Sequence, residues 1–380
     1  MERIYMDHAA TTPMHPEVIE VMIEVMRDTY GNPSSIHRFG REARKLIDDA
    51  RKVLAESIGA QMDEIIFTSG GTEADNAAIM SSVQAMKTKG KHIITTEIEH
   101  HAVLHTCQAL EKEGYEVTYL PVNEEGLITV DSVRKALRDD TILVTIMFGN
   151  NEVGSVQPIE KIGSLLKDHQ ALFHTDAVQA YGMIPISVHD LGVDFLSVSA
   201  HKINGPKGLG FLYARKGVPF KPLLLGGEQE RKRRAGTENV PGAVGFAKAA
   251  QLMSETYEAK ASRYQGFKEI MLRVFDEAGI AYLVNGKLHD SLPHVLNISF
   301  PGSNVEAFLV NMDLAGVAVS SGSACTAGSI EPSHVLVSMF GKESERTKNS
   351  IRFSFGLGNT EDEIEKAANV AVNVINRLVK

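Results

Sequence analysis

Two periods of apolar residues succeed one another along the first two-thirds of the chain. Short runs rich in β-branched and aromatic residues, at 65–68, 92–95, 117–120, 141–148, 171–175, 194–199 and 211–214, have the length and near-continuous hydrophobicity of strands buried on both faces. Between several of them the spacing becomes helical: Phe39, Ala43, Ile47, Ala50 and Leu54 repeat on one face, as do Ile79, Val83 and Met86. This alternation predicts an α/β layer around one large, mostly parallel seven-stranded sheet. Past the glycine turns at 226–227 and 236, residues 241–279 read as largely helical. The pattern then changes, with strand-like runs at 294–300, 317–320 and 351–355 separated by helices. A capping box, Thr360-x-x-Glu363, opens a closing helix whose stripe is Ile364, Ala368, Ala371, Ile375 and Leu378. The tail is therefore expected to form a smaller α+β domain with the amino-terminal segment folded back onto it. The division drawn is a large domain at 15–258 and a small one from 1–14 with 259–380.

Composition narrows the class without naming it. The chain has 380 residues, 43% of them hydrophobic and 23% charged, which suits an ordinary globular protein and excludes wholesale disorder or a collagen-like repeat. No run approaches the ~18 apolar residues of a membrane span, and the first residues carry no apolar block of the secretory kind, so a cytoplasmic protein is expected. The net charge of −9 argues against nucleic acid gripped over the whole surface. The basic run Arg231-Lys232-Arg233-Arg234 reads as a solvated turn, with docking of an acidic partner as a lesser alternative. With only two cysteines, Cys107 and Cys325, there is neither a disulfide framework nor a four-cysteine zinc site.

Candidate chemistry gathers at predicted strand ends. In Thr68-Ser69-Gly70-Gly71-Thr72-Glu73 a strand runs through a glycine pair into a helix, an arrangement that offers exposed N–H groups to a phosphate. A plain strand-to-helix turn is the alternative, since neither common nucleotide-binding glycine pattern is present. Lys202, in Ser199-Ala200-His201-Lys202, follows an apolar strand, where ligands collect in open α/β sheets, and a partly desolvated lysine there can form a Schiff base. Asp176 ends the preceding strand. A carboxylate and a lysine on neighbouring strand ends suit pyridoxal phosphate, the acid pairing with the pyridinium nitrogen. His100 stands between a strand and a helix, where an imidazole could lie over an aromatic cofactor and move protons. A polar junction, or less readily a zinc site, could also account for His100, His101 and His105. Cys107 lies on a helical stripe with Val103 and Leu110 and reads as core. Cys325 sits instead in a run of small residues, Ser320-Ser321-Gly322-Ser323-Ala324-Cys325, which predicts a mobile loop with an accessible, nucleophilic thiol.

These segments, together with Asp7-His8-Ala9-Ala10-Thr11-Thr12-Pro13, Gly31-Asn32-Pro33-Ser34-Ser35-x-His37, Asn150-Asn151-Glu152-x-Gly154 and His201-Lys202-x-x-Gly205-Pro206-Lys207-Gly208, resemble the cysteine desulfurases of the NifS/IscS-like class over nearly the whole chain. The resemblance implies the fold-type-I, aspartate aminotransferase-like architecture of pyridoxal 5'-phosphate enzymes. It implies Lys202 as the cofactor's Schiff-base lysine, Asp176 as pyridinium partner, His100 as ring-stacking acid/base and Gln179 as partner of the phenolic oxygen. It further implies Gly71, Thr72, Ser199 and His201 at the phosphate, with Thr237 reaching in from the other subunit of a homodimer. Asn151, also beside the cofactor, and Arg352 would hold the carboxylate of an L-cysteine substrate, and Cys325 would carry the sulfur as a persulfide. Gly71 stands where many relatives carry Ala. An acceptor protein, either an iron–sulfur scaffold or a tRNA-thiolating enzyme, is the implied destination; no metal, direct nucleic acid or membrane is. A selenocysteine lyase or aminotransferase of the same fold, and a scaffold that has lost the chemistry, are the competing readings.

Overall fold

The computed structural model describes residues 3–322 and 332–379. Its strands are β1 (Ile4–Tyr5), β2 (Ile65–Thr68), β3 (His92–Thr96), β4 (Glu116–Leu120), β5 (Thr141–Thr145), β6 (Leu172–Asp176), β7 (Phe195–Ser199), β8 (Gly210–Ala214), β9 (Leu283–Asn285), β10 (Val295–Ser299), β11 (Val317–Ala318) and β12 (Ser350–Ser354). The seven from β2 to β8 form one sheet in the order β2-β8-β7-β6-β5-β3-β4. Only β8 runs against its neighbours; β7, β6, β5, β3 and β4 are parallel. Alternate residues on these strands enter separate apolar clusters, Phe173, Leu196 and Val198 in one, Leu172 and Phe195 in the other. Burial on both faces is what the unbroken hydrophobic runs required.

Helices α1 (Pro16–Asp28), α2 (Arg38–Glu56), α3 (Gly71–Met86) and α4 (His101–Lys112) belong to this layer. Of the stripe read from α2, Ala43, Ile47, Ala50 and Leu54 are buried and form its core face, whereas Phe39, in the first turn, is exposed. The predicted run 141–148 pairs as a strand only to Thr145. Beyond it Ile146 and Phe148 donate to the carbonyls of His174 and Asp176 at 3.1 and 2.8 Å, and the chain then turns at Asn150, whose carbonyl accepts from Gly154. That early departure carries Asn151 and Glu152 to the cavity at the carboxyl ends of the strands. At the neighbouring position β6 extends one residue further than read, to Asp176.

A single helix, Val240–Glu277, covers the stretch expected to be helical. Its first part, through Met253, packs into the cluster shared with α1 and α2. Its later part, Tyr264, Phe267, Met271 and Phe275, belongs to a second core with Ile298, Phe353 and Phe355. In that region β9, β10 and β12 form an antiparallel sheet, and β1 returns to pair in parallel with β11. Helix α1 and strand β9 were not read from the sequence. In α1 the apolar Ile19, Ile23 and Met26 face outward and blur the periodicity, while β9 has three residues, too few to carry one.

Candidate active site

The carboxyl ends of β5, β6 and β7 open onto a cavity of about 400 Å³, walled by Thr72, His100, Asp176, Gln179, Lys202 and Arg352 among others. Gly71, Asn151, Ser199 and His201 also line it. Ten residues named on sequence grounds thus belong to one enclosure. Thr237 does not: within the single chain it is exposed and outside the lining. Its turn is nonetheless tied to the cavity's edge, because Arg234 Nε donates to Glu73 at 2.8 Å and Glu73 accepts from the Ser69 amide at 2.8 Å. Cys325 lies outside the described residues. Gly322, immediately before that segment, and His334, shortly after it, are both in the cavity wall.

One end of the cavity is built for an anion. β2 passes through Gly70, at φ 152°, into α3, so the first amides of that helix have no intrahelical acceptor. β8 approaches this turn so closely that a Cβ on Gly210 would lie 2.8 Å from Gly70 Cα and 2.4 Å from the Val198 carbonyl. His201 Nδ1 is 3.0 Å from Thr11 Oγ1, and the Thr12 amide donates to its carbonyl at 3.1 Å.

At the other side Lys202 Nζ donates to the carbonyls of Ala9 and, at 2.8 Å, Ala10. Burial lowers its pKa to about 8, with Arg352 adding to the drop and Asp176 and Asp7 opposing it. Asp176 is buried and accepts from the Val178 amide at 2.9 Å; burial raises it to about 6, against that hydrogen bond and Lys202. His100 caps α4, its Nδ1 accepting from the Ala102 amide at 3.1 Å. Its ring is open to the cavity but enclosed by protein elsewhere, and that enclosure, with Lys202, pushes it down to about 4. It is therefore a neutral imidazole whose Nε2 is not engaged by the cap. Gln179 Nε2 donates to the Ala9 carbonyl at 2.9 Å, and its Oε1 lies 3.1 Å from Nε2 of buried His294.

Arg352 on β12 projects from the smaller core into the same space. Its Nη1 donates to the Asn151 carbonyl at 2.9 Å and its Nη2 to Asp7 Oδ1 at 2.7 Å.

Several supporting residues escaped the sequence reading. Asp75, on the first turns of α3, lies beneath the cavity and is pushed well up by burial and by Asp176. His174 links it to β5 and β7, with Nδ1 2.8 Å from Thr145 Oγ1 and Nε2 3.0 Å from Ser197 Oγ. Glu99 accepts from Thr96 Oγ1 and the Met147 amide, and burial lifts it to about 8. Asp75 stands among other polar residues in Thr72-Glu73-Ala74-Asp75-Asn76 and so carried no signal that sets it apart. Cys107 is core, as expected, its thiol raised to about 12 by burial. Among the described residues no group of three His, Cys, Asp or Glu is arranged to hold a metal ion. His101 packs at 4.9 Å between centroids against both His105 and His334.

The donor set matches a phosphorylated pyridine aldehyde. It offers amides and hydroxyls for the phosphate, a buried carboxylate for the ring nitrogen, a neutral imidazole beside the ring and a desolvated amine for the aldehyde.

Comparison with known proteins agrees. The aminotransferase class-V family model matches residues 4–367. The chain is 62% identical over 378 residues to the putative cysteine desulfurase IscS 1 of Bacillus subtilis strain 168, covering 100% of both chains. A solved NifS-like protein superposes with a TM-score of 0.92 at 37% identity, covering 99% of this chain and 100% of that one. A structure of SspA in complex with cysteine superposes at 0.82 with 37% identity, covering 93% of this chain and 98% of that one.

Proposed function

Since the chain belongs to the aminotransferase class-V family and is a pyridoxal-phosphate-dependent cysteine desulfurase of the NifS/IscS-like class, we propose that Lys202, His100 and Cys325 are its catalytic residues. Gly71, Thr72, Ser199 and His201 hold the phosphate, Asp176 the ring nitrogen and Gln179 the phenolic oxygen. Asn151 and Arg352 receive the carboxylate of L-cysteine, the arginine through a planar fork that fixes the amino acid's orientation.

When bound, pyridoxal phosphate supplies an electron sink for the pair left at the substrate Cα. Lys202, whose amine titrates near 8, takes the Cα proton and returns it to the product. The Cys325 thiolate attacks the substrate sulfur: an S–S bond forms, the Cβ–S bond breaks, and its electron pair passes into the substrate carbon frame. A proton delivered to Cβ, with neutral His100 handling it, completes L-alanine and leaves one sulfur on Cys325. Three residues of extended chain span at most about 11 Å. In the sequence Cys325 is three positions beyond Gly322, which lines the cavity.

Supporting this reading above all is the convergence of Lys202, Asp176, His100 and Arg352 on one cavity whose wall includes Gly322 before the Cys325 segment and His334 after it. Borohydride reduction of the holoenzyme followed by peptide mass spectrometry should place the cofactor on Lys202. Recovery of the adduct on another lysine would remove the assignment.

The finer biology follows the same reading. The protein acts as a cytoplasmic homodimer, with Thr237 completing the partner's phosphate site, and passes sulfur to an iron–sulfur scaffold or a tRNA-thiolating enzyme. Exposed Tyr30, Ile36 and Phe39 near α2, with Leu225 before the Thr237 turn, supply apolar surface for subunit contact. No described helix is long and apolar enough to cross a membrane. The boundary between the large and small domains, near residue 258, falls within helix Val240–Glu277, whose two parts serve different cores.

A further inference from the structure

Arg352 is 3% exposed, and a cation so placed needs a partner. Its Nη2 takes Asp7 Oδ1 at 2.7 Å and its Nη1 the Asn151 carbonyl, while its Nε is buried with no hydrogen-bond partner among the described residues. The other nearby carboxyl, Glu152, is engaged by the Ser333 hydroxyl instead. Asp7 is itself well fixed. Its backbone bridges to Ser354 of β12, its carbonyl accepts from the Ala10 amide at 3.0 Å, and Tyr5 Oη donates to the same carbonyl at 3.0 Å. The turn it opens presents the Ala9 and Ala10 carbonyls to Lys202 Nζ. One short segment therefore touches the arginine on one side of the cavity and the lysine on the other.

We propose that Asp7 is a positioning residue for the substrate: by occupying one edge of the Arg352 guanidinium, it aims the remaining donors at the carboxylate of cysteine and registers that carboxylate against Lys202. A guanidinium recognises carboxylate through a fixed planar fork, so its rotation must be held by something other than the ligand. Asp7 also offsets one positive charge where Arg352 and Lys202 share a cavity. The inference rests on the reading of Arg352 as the carboxylate site.

The test uses the holoenzyme and 3-mercaptopropionate, which has the thiol and carboxylate of cysteine but no amine. Calorimetric titration compares the parent with Arg352→Lys, Asp7→Ala, Asp7→Asn and Asp7→Glu. Arg352→Lys should weaken binding about tenfold or more, because a point charge replaces the fork. Asp7→Ala and Asp7→Glu should each weaken it about tenfold, the first by freeing the guanidinium and the second by displacing it. Asp7→Asn keeps an acceptor oxygen and should stay within about threefold of the parent. With L-cysteine, Asp7→Ala should raise KM by the same factor while kcat moves less than about threefold, a split that general loss of structure would not give. If Arg352→Lys weakens binding but Asp7→Ala, or Asp7→Glu should the alanine variant fail to fold, binds within about twofold of the parent, the role of Asp7 is overturned and that of Arg352 stands. If Arg352→Lys binds as the parent does, the carboxylate reading falls and this inference with it.

Discussion

At the scale of single residues the chemistry turns on groups moved from their ordinary protonation states by burial. Lys202 titrates near 8 rather than near its usual value, so its neutral, nucleophilic fraction at pH 7 is about a tenth, against well under a thousandth for a solvated lysine. The sign is set by desolvation, which disfavours the cation. The rate at which apo-protein takes up pyridoxal phosphate should accordingly rise with pH and level off above about 9. A rate still climbing through pH 10 would mean an unperturbed amine. In the proposed role at the ring nitrogen Asp176 acts through its charge, so Asp176→Asn should cut kcat by about a hundredfold or more while the fold is retained; steady-state assays with L-cysteine, beside a thermal melt, separate the two. Lys202, Asp176 and His100 were legible because each stands at or just after the end of a strand, where ligands collect in open α/β sheets, and all three line the one cavity. Asp75 and His294 were not. Each acts through a partner far along the chain, His294 through Gln179 for example, and such pairing leaves no local period.

Elements hold those residues in place by close approach. β8 can lie against the Gly70 turn only because Gly210 lacks a Cβ, which would strike backbone on both sides. Gly71→Ala would instead meet a Val178 methyl at 2.7 Å, a side chain that yields more easily than a strand. Thermal melts should therefore find Gly210→Ala destabilised by about 1–3 kcal/mol and Gly71→Ala by less; the reverse order would contradict this account of the turn. The basic run read as a solvated turn holds more structure than its sequence suggested. Glu230, Arg231 and Lys232 have φ of 47, 56 and 67°, a left-handed stretch costly for side-chain-bearing residues. It is held by buried Glu230, which accepts from Arg51 at 2.6 and 2.7 Å and from the Phe67 amide at 3.0 Å. Glu230→Gln should cost about 3–5 kcal/mol and release the turn that bears Thr237. A melt unchanged from the parent would show that the pair does not restrain it.

For the whole molecule, the parallel sheet and the second core were readable because both depend on patterns that run through many residues, strand length in one and helical stripes in the other. The proposed subunit contact is a different matter: Ile36 and Leu225 are 91% and 83% exposed, yet in the sequence they resemble any other apolar residues of the chain. Replacing Tyr30 and Ile36 by Asp should convert a dimer to monomer in light scattering and weaken cofactor retention, since Thr237 would no longer reach a neighbouring site; a variant that remains dimeric would place the contact elsewhere. The central claim is that sulfur leaves cysteine by transfer to one thiol of this chain. Non-reducing mass spectrometry after a single addition of L-cysteine tests it most directly. The account predicts one added sulfur per chain, mapped to Cys325, with an equal amount of L-alanine; alanine formed with sulfur on Cys107, or with none on the protein, would contradict it.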